Sequence, residues 1–433
     1  MDPALGRFVK HYNEIPFSRG AFLLEYLKNI KKMKKLFQIL ILFSYCFLAS
    51  SSNVSFKGDE IVYQKSLNKK IKDMSVITQF TLDFLSRCIQ QDENAVCSPI
   101  SVHSIFTLLT NGVEGEGLKN LELILGDSAI KLNEYYRNLF GGYQFKGLAF
   151  SNILWIDKNL FLSDLFLDKC NDFPLTQIKN IDFSNKIAKD IINEYVDNCT
   201  NHTIKNIIEH VDPNDRLIVT STLYFKSDWI VPFFKENNII DKFFSSKGNV
   251  TQIEYMQNES NYRYFEDKKS KVLILPYEKS DFSFFLLLPN KNILLKDYIQ
   301  TISGKELLNI LQNGQKNYTA INLCLPKFRI EYSSNNLTNM LVEMGFNLMS
   351  VNFSNILNDK GDLYLRNIYQ KTFLSIDENG TEASSATVVY MDGYSRIKKK
   401  LKPIKLEFNR PFIFGILENQ TNIPLFIGAI NEL

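Results

Sequence analysis

A chain of 433 residues with a hydrophobic fraction of 45% has ample apolar material for a large core, which excludes a disordered or low-complexity protein. Fifty basic and 47 acidic residues leave a formal charge of only +3, so no global polycation exists to drive nucleic-acid binding. Any electrostatic partner has to be met by a local patch.

Near the start, Lys31, Lys32, Lys34 and Lys35 precede an apolar run over 36–49 that ends in small residues ahead of Asn53. A basic segment, a short apolar run and small residues describe a secretory signal, with cleavage after about Ser51. The run's 14 residues fall short of the ~18–20 that a bilayer span requires. Met33 therefore reads as the working start, 33–51 as the signal and 1–32 as an extension of the gene model; an uncleaved signal anchor is the rival reading. The remainder is expected to be secreted into the extracellular space as a glycoprotein. Ten N-x-S/T sequons agree with export, at Asn53, Asn198, Asn201, Asn249, Asn258, Asn317, Asn336, Asn352, Asn379 and Asn419, with chance matches expected in so asparagine-rich a chain.

Past the signal, the apolar stripe of Phe80, Leu82, Phe84 and Leu85 predicts a helix over Ile77–Ile89. Ser98-Pro99 leads into a second apolar helix, Ser101–Leu109, with proline where a helix entry tolerates it. His103 within it reads as a satisfied structural histidine. Helical patterns follow at Leu118–Leu125 and Ala129–Phe140. Strand-like runs appear at Ala149–Ile156, Leu217–Phe225, Lys271–Tyr277, Phe282–Leu288, Ala320–Leu325, Thr372–Ile376, Lys405–Phe408 and Pro411–Leu417. With helices early, strands late and no Pro/Gly/Ser-rich linker, the chain reads as one mixed α+β domain over 52–433.

Cys46 lies in the signal, leaving Cys88, Cys97, Cys170, Cys199 and Cys324, an odd count with no C-x-x-C spacing. No metal or redox motif is supported, and at least one thiol is expected to be free or intermolecular. Cys97 reads as core; its nine-residue separation from Cys88 neither requires nor forbids a bond. Beyond the signal only His103, His202 and His210 are available as bases, and G-x-S-x-G, H-E-x-x-H, P-loop and dinucleotide fingerprints are missing. The chain is therefore read as a non-enzyme without a cofactor.

One segment has an unusual pattern: E-N-G-T-E-A-S-S-A-T, Glu378–Thr387. As a strand it would point Thr381, Ala383, Ser385 and Thr387 to one face and Glu382, Ser384 and Ala386 to the other. The first set is uniformly small and the glutamate falls on the second, so the segment is able to enter a sheet with its small side buried. Thr381 to Tyr394 would span roughly 45 Å as a strand at ~3.3 Å per residue.

These landmarks together resemble the serpin family. The segments N-A-V-C-S-P-I-S-V (Asn94–Val102), L-I-V-T-S-T-L-Y-F-K-S-D-W-I-V-P-F (Leu217–Phe233), L-I-L-P-Y (Leu273–Tyr277), L-L-L-P-N (Leu286–Asn290), L-P-K-F-R-I-E (Leu325–Glu331), the hinge, F-N-R-P-F-I-F (Phe408–Phe414) and P-L-F-I-G (Pro424–Gly428) follow in the family's order. The resemblance spans 75–433 and implies an α+β serpin fold: three β-sheets, about eight or nine helices, and an exposed reactive-centre loop over about 378–404. It also implies a suicide inhibitor whose cleaved loop inserts as a strand and traps a serine protease as an acyl-enzyme, from a metastable, monomeric native state. The hinge is then Glu378, Gly380, Thr381, Glu382, Ala383, Ser384, Ser385, Ala386 and Thr387. Sheet opening is assigned to Ser98, Ser101, Ser221 and Gln370; Ser221 stands where the family usually has asparagine and Gln370 where it usually has histidine.

The family spacing selects a scissile bond sixteen residues beyond Glu378, Tyr394-Ser395, suited to a chymotrypsin-like pocket. Because the following segment is longer than usual, Arg396-Ile397 stays open as the alternative, which would direct the chain at trypsin-like enzymes. Lys398, Lys399, Lys400 and Lys402 read as a solvated loop, with an exosite for an acidic protease surface and a weak polyanion contact as the further readings. The competing functions are a cross-class inhibitor of cysteine proteases and a non-inhibitory binding protein.

Overall fold

Helix α1 (Ser75–Cys88) forms where the apolar stripe predicts it and buries Ile77, Phe80, Leu82, Phe84, Leu85 and Cys88. Strand β1 (Ala95–Cys97) is buried throughout, and Pro99 opens helix α2 (Pro99–Leu109), in which every residue is buried. The computed structural model describes residues 74–433 apart from 90–92, 142–147, 174–175, 201, 279–280, 334–336, 349 and 382–401. The signal, the sequons at Asn53, Asn201 and Asn336, the hinge from Glu382 to Thr387, both candidate scissile bonds and Lys398–Lys400 lie outside the described residues.

Helices α3 (Gly115–Leu125) and α4 (Ala129–Gly141) follow. Gly126 ends α3 in the left-handed region at φ 87°, its N–H bonding to the Glu122 carbonyl at 2.9 Å; a Cβ there would stand 2.1 Å from Val76. Next come β2 (Leu148–Asp157), α5 (Asp164–Asp172), β3 (Thr176–Ile181), α6 (Ala188–Cys199), β4 (Leu217–Phe225), β5 (Ser227–Asp228), β6 (Ile239–Phe244), β7 (Val250–Glu266), β8 (Ser270–Pro276) and β9 (Phe282–Pro289). The chain closes with α7 (Leu295–Thr301), α8 (Gly304–Gly314), β10 (Tyr318–Pro326), β11 (Phe328–Ser333), α9 (Leu337–Glu343), β12 (Asn367–Ile376), β13 (Gly380–Thr381), β14 (Ile404–Glu407), β15 (Phe412–Glu418) and β16 (Pro424–Ile430). Helices α7 to α9 fall among the late strands, so the expected segregation of helices early and strands late does not hold.

Two hydrogen-bonded networks carry the strands. One runs β1-β16-β15-β9-β8-β7-β10-β14, with β6 also on β7; the other runs β3-β2-β4-β12-β13-β5, with β11 also on β12. The three expected sheets appear as two networks because β7 joins two of them. It pairs with β6 and β10 over its length up to Arg263, and with β8 from Arg263 to Glu266. β15 and β16 are buried at every residue, which accounts for the apolar runs near the C-terminus.

Helix α6 lies against the second network. Ile192 and Val196 pack with Trp155, Ile153, Ile218 and Phe373, while Tyr195 and Tyr369 close the edge. Trp155 Nε1 donates to Thr220 at 2.9 Å, satisfying its one polar atom.

His103 is enclosed in α2. Its Nε2–H donates to the Leu125 carbonyl at 3.1 Å, its Nδ1 accepts from the Tyr136 hydroxyl at 2.8 Å, and Phe80 meets the ring edge-on. Burial lowers its pKa to about 4, so the ring is neutral and structural. The folded pKa lies below the unfolded value of 6.5, so the unfolded chain binds the extra proton between these values, and stability falls as pH drops through that window. We expect a loss on the order of 2–3 kcal/mol between pH 7 and 4 from this residue. Urea denaturation across that range should show the loss in the parent and a shallower decline in His103→Gln; parallel declines would reject this assignment.

Candidate functional site

Strands β4 and β12 pair directly and in parallel, from Ile218↔Asn367 to Leu223↔Thr372. On the other side of β4, β2 pairs antiparallel with Asn152 opposite Ser221. Asn152, Ser221 and Gln370 thus stand in one row across three strands, all buried, over the N-terminal end of α2. Gln370 Nε2 donates to the Ser98 carbonyl at 2.9 Å and to Ser101 Oγ at 2.8 Å, and its Oε1 accepts from the Ser98 N–H at 3.3 Å. Ser221 Oγ donates to Asn152 Oδ1 at 2.8 Å, and Asn152 Nδ2 donates to Ser104 Oγ at 3.1 Å.

The four residues singled out for sheet opening are therefore neighbours, but they form two separate sets. Ser98, Ser101 and Gln370 anchor β12 to α2, while Ser221 belongs with Asn152 and Ser104 on the β4 side. No side-chain hydrogen bond joins Ser221 to Gln370 across the seam among the described residues. Asn152 and Ser104 escaped the sequence reading; a buried asparagine in the apolar run before Trp155 was the available signal.

Above Leu223↔Thr372 the strands part. The Thr372 hydroxyl is buried there with no hydrogen-bond partner among the described residues. β12 continues to Ile376, and the chain turns on Asp377, whose Oδ1 accepts from the N–H groups of Asn379 (2.8 Å) and Gly380 (3.2 Å). Gly380 and Thr381 then return as β13 between the two strands. Thr381 pairs with Ile376 on one side and Ser227 on the other, and Gly380 with Asp228. A Cβ on Gly380 would sit 2.1 Å from the Ser227 carbonyl oxygen, so only glycine admits this approach.

Aromatic and charged groups grip the turn. Trp229 donates from Nε1 to the Asp377 carbonyl at 3.0 Å and from its backbone N–H to the Asn379 carbonyl at 2.8 Å. Its ring stacks on Tyr277 at 4.8 Å, and the Tyr277 hydroxyl is hydrogen-bonded to that of Thr381. The Phe233 N–H donates to the Glu378 carbonyl at 2.9 Å. The Glu378 carboxylate accepts from Asn238 Nδ2 at 2.6 Å and meets Lys327 Nζ at 3.0 Å; Glu254 shares both partners, at 2.7 and 3.2 Å. Burial alone would push the Glu378 pKa up, but the Asn238 hydrogen bond and the Lys327 charge outweigh it and hold the carboxylate below its usual range.

Trp229, Tyr277 and Lys327 lie inside segments already singled out, yet their roles depend on contacts distant in sequence. Among the sequons, Asn198, Asn249 and Asn317 are exposed. Asn258 and Asn352 commit Nδ2 to the Pro232 carbonyl (2.9 Å) and Asp362 (2.7 Å), and Asn419 Oδ1 accepts from Ser283 (2.7 Å) and Gln315 (3.3 Å). Asn379 is half-buried on the turn itself, and Lys402 is exposed just before β14.

Comparison with known proteins follows the same outline. The family model for Serpin (serine protease inhibitor) matches residues 75–433. A serpin-like protein of Methanosarcina acetivorans is 28% identical over 371 residues, 82% of this chain and 84% of its own. Human Serpin B3 is 27% identical over 387 residues, 82% and 98% respectively. The thermophilic serpin tengpin, solved in its native state, matches with a TM-score of 0.74 at 29% identity, over 83% of this chain and 95% of its own. Thyroxine-binding globulin in complex with thyroxine shares the fold at a TM-score of 0.72 and 23% identity, over 83% and 98%.

Lys327→Met would leave two carboxylates around Asn238 with no cation. We expect it to cost about 1–2 kcal/mol, partial exposure discounting a fully buried pair, and to speed hydrogen exchange at the Trp229 amide roughly tenfold. Unchanged exchange there would mean that the ion pairs do not hold the turn.

Proposed function

The chain belongs to the serpin family, and we propose that it is a secreted inhibitor, signal at 33–51 and domain at 52–433, that traps a serine protease by inserting its cleaved loop between β4 and β12. The observation that supports this reading most directly is β13. Gly380 and Thr381 already hydrogen-bond to strands on both sides, in the position and direction that an inserted strand would continue.

Extended down the seam, the register of β13 against β12 sets Ala383 opposite Leu374, Ser385 opposite Thr372 and Thr387 opposite Gln370. Against β5 and β4 the same residues meet Phe225, Leu223 and Ser221. β4 and β12 independently align Leu223 with Thr372 and Ser221 with Gln370, so a third strand enters without a slip. All three loop residues fall on the inner face. The Ser385 hydroxyl then reaches the unpartnered Thr372, and Thr387 fills the gap between Ser221 and Gln370.

Mechanistically, a protease serine attacks the scissile carbonyl, and the new amine departs while the loop remains as an acyl ester. Insertion replaces one direct β4–β12 ladder by two, a net gain of a dozen or so backbone hydrogen bonds at ~1 kcal/mol each. The native state would thus be held kinetically, and the tethered enzyme carried some 45 Å along the sheet at ~3.3 Å per residue. Tyr394-Ser395 is the preferred bond, with Arg396-Ile397 as the alternative. A non-inhibitory carrier is the second reading, since a thyroxine-bound protein shares this fold; the small inward set from Thr381 to Thr387 disfavours it. Polyanion contact through Lys398 to Lys402 is a subordinate part of the proposal.

Incubation with chymotrypsin and with trypsin should yield a complex that survives denaturing electrophoresis, with a released peptide starting at Ser395, or at Ile397 for the alternative. Cleavage by both without a complex would count against inhibition of either enzyme class. Thr387→Arg, which buries a charge beside Gln370, should cut the trapped fraction at least ~tenfold while cleavage continues. Loop cleavage of the parent should raise the melting temperature by roughly 10–20 °C; no rise would mean that the loop does not insert.

A further inference from the structure

The charged grip on Glu378 has an open side. Where the start of β6 lies against β7, a cavity of about 370 Å³ is lined by Lys235, Asn238, Ile239, Ile240, Ile253 and Glu254, a size suited to a small molecule or a single side chain. Ile240 pairs with Glu254 across the two strands, so both side chains project from one face. Ile240 is 74% exposed, and β6 has no strand beyond it among the described residues. An apolar wall thus stands uncovered beside a carboxylate.

The polar groups around this cavity are incompletely matched. Asn238 donates from Nδ2 to both Glu254 (2.7 Å) and Glu378 (2.6 Å), while its Oδ1 is buried with no partner among the described residues. The two carboxylates also share one cation, Lys327, at 3.2 and 3.0 Å. The Asn238 hydrogen bond and the Lys327 pairing hold the Glu254 pKa below its usual range, and the Glu378 charge opposes them. Lys235 lines the same cavity and makes no ion pair among the described residues.

We propose that this cavity binds an arginine with a free carboxylate, either as the amino acid or at the end of a peptide. The guanidinium meets Glu254 with two parallel N–H donors, as its planar fork favours. Its aliphatic stem covers Ile239, Ile240 and Ile253, and its carboxylate pairs with Lys235. With Glu254 served by the ligand, the Asn238 amide is held by Glu378 alone and turns its Oδ1 toward a remaining guanidinium donor. A lysine ligand would bring the charge without that fork. Lys327 is then no longer shared and serves Glu378 alone, so the occupied cavity tightens the hold on the turn. Nothing in this site depends on the loop being cut, and binding is measurable on the intact chain.

Calorimetric titration of the intact chain with L-arginine should show a single saturable site with a dissociation constant at or below ~1 mM. L-argininamide, which lacks the carboxylate, should bind at least ~threefold more weakly, and Lys235→Met should erase that difference. Glu254→Gln should weaken arginine binding at least ~tenfold. Since Glu254→Gln also removes part of the grip, Ile240→Ser repeats the check at an exposed position where folding is not at stake, with a weakening of about threefold expected. Bound arginine should slow hydrogen exchange at the Trp229 amide in the parent and leave it unmoved in Glu254→Gln. Titration with Gly-Gly-Arg separates the sources: tighter binding than free arginine assigns a peptide end, and weaker binding the amino acid. No saturable heat up to ~10 mM arginine, equal affinity for arginine and argininamide, or an affinity unchanged by both Glu254→Gln and Ile240→Ser would overturn the proposal.

Discussion

Direct pairing of β4 with β12 is the constraint on which the rest of the structure depends. It closes the central network, yet it does so with a short parallel ladder that ends at Leu223↔Thr372, below strands that continue apart. Everything near the seam answers to that incomplete closure. The row of Asn152, Ser221 and Gln370 lies across it, α2 supports it from below with Ser98, Ser101 and Ser104, and α6 covers the opposite side through Ile192 and Val196. Buried polar groups are costly unless paired, and Asn152, Ser221 and Gln370 are each paired within their own side of the seam, while the Thr372 hydroxyl above them has no partner among the described residues. The two sides are thereby anchored separately on α2, with no side-chain hydrogen bond between Ser221 and Gln370 among the described residues.

The turn above the seam has the complementary design. Glu378, Lys327, Glu254 and Asn238 form a partly exposed charge cluster, while Trp229, Tyr277 and Thr381 form the buried side of the same grip. The charged part orients the turn and the aromatic part excludes water from Gly380 and Thr381. Asp377 Oδ1 accepts from the Asn379 and Gly380 N–H groups and so satisfies two of the turn's own donors.

Much of this architecture was legible in the amino-acid order. Leu217–Phe225 is a strand with the expected bounds because its run of branched and aromatic residues is long enough to exclude other periods. Thr381, at the head of the small-residue alternation, is buried in β13, and the rest of that alternation lies outside the described residues. β7 was missed because its exposed positions include Gln252, Glu254, Glu259 and Asn261, and its strand character comes from neighbours that bond its backbone on both sides. The grip on the turn was equally hidden: Lys327 and Glu378 are fifty-one residues apart, and no local pattern links a lysine to a carboxylate at that distance. The division of the sheet-opening residues into two sets could not be read either, since side-chain length decides it and only the folded register reveals which atoms are in reach.

The two residues of β13 alter the kinetics that an inserting loop would face. Adding a strand resembles other cooperative assemblies, in which the first rungs are slow because ordering precedes most of the bonding. Here Gly380 and Thr381 supply those rungs before any cleavage, and the seam's own alignment fixes the register of the rest. The process would begin as propagation, without a nucleation lag in which a tethered ester is exposed to hydrolysis. A substitution confined to the rungs below Thr381 would then change how far the zipper closes, while a substitution at Gly380 or at its neighbours Trp229 and Tyr277 would change whether it starts in time.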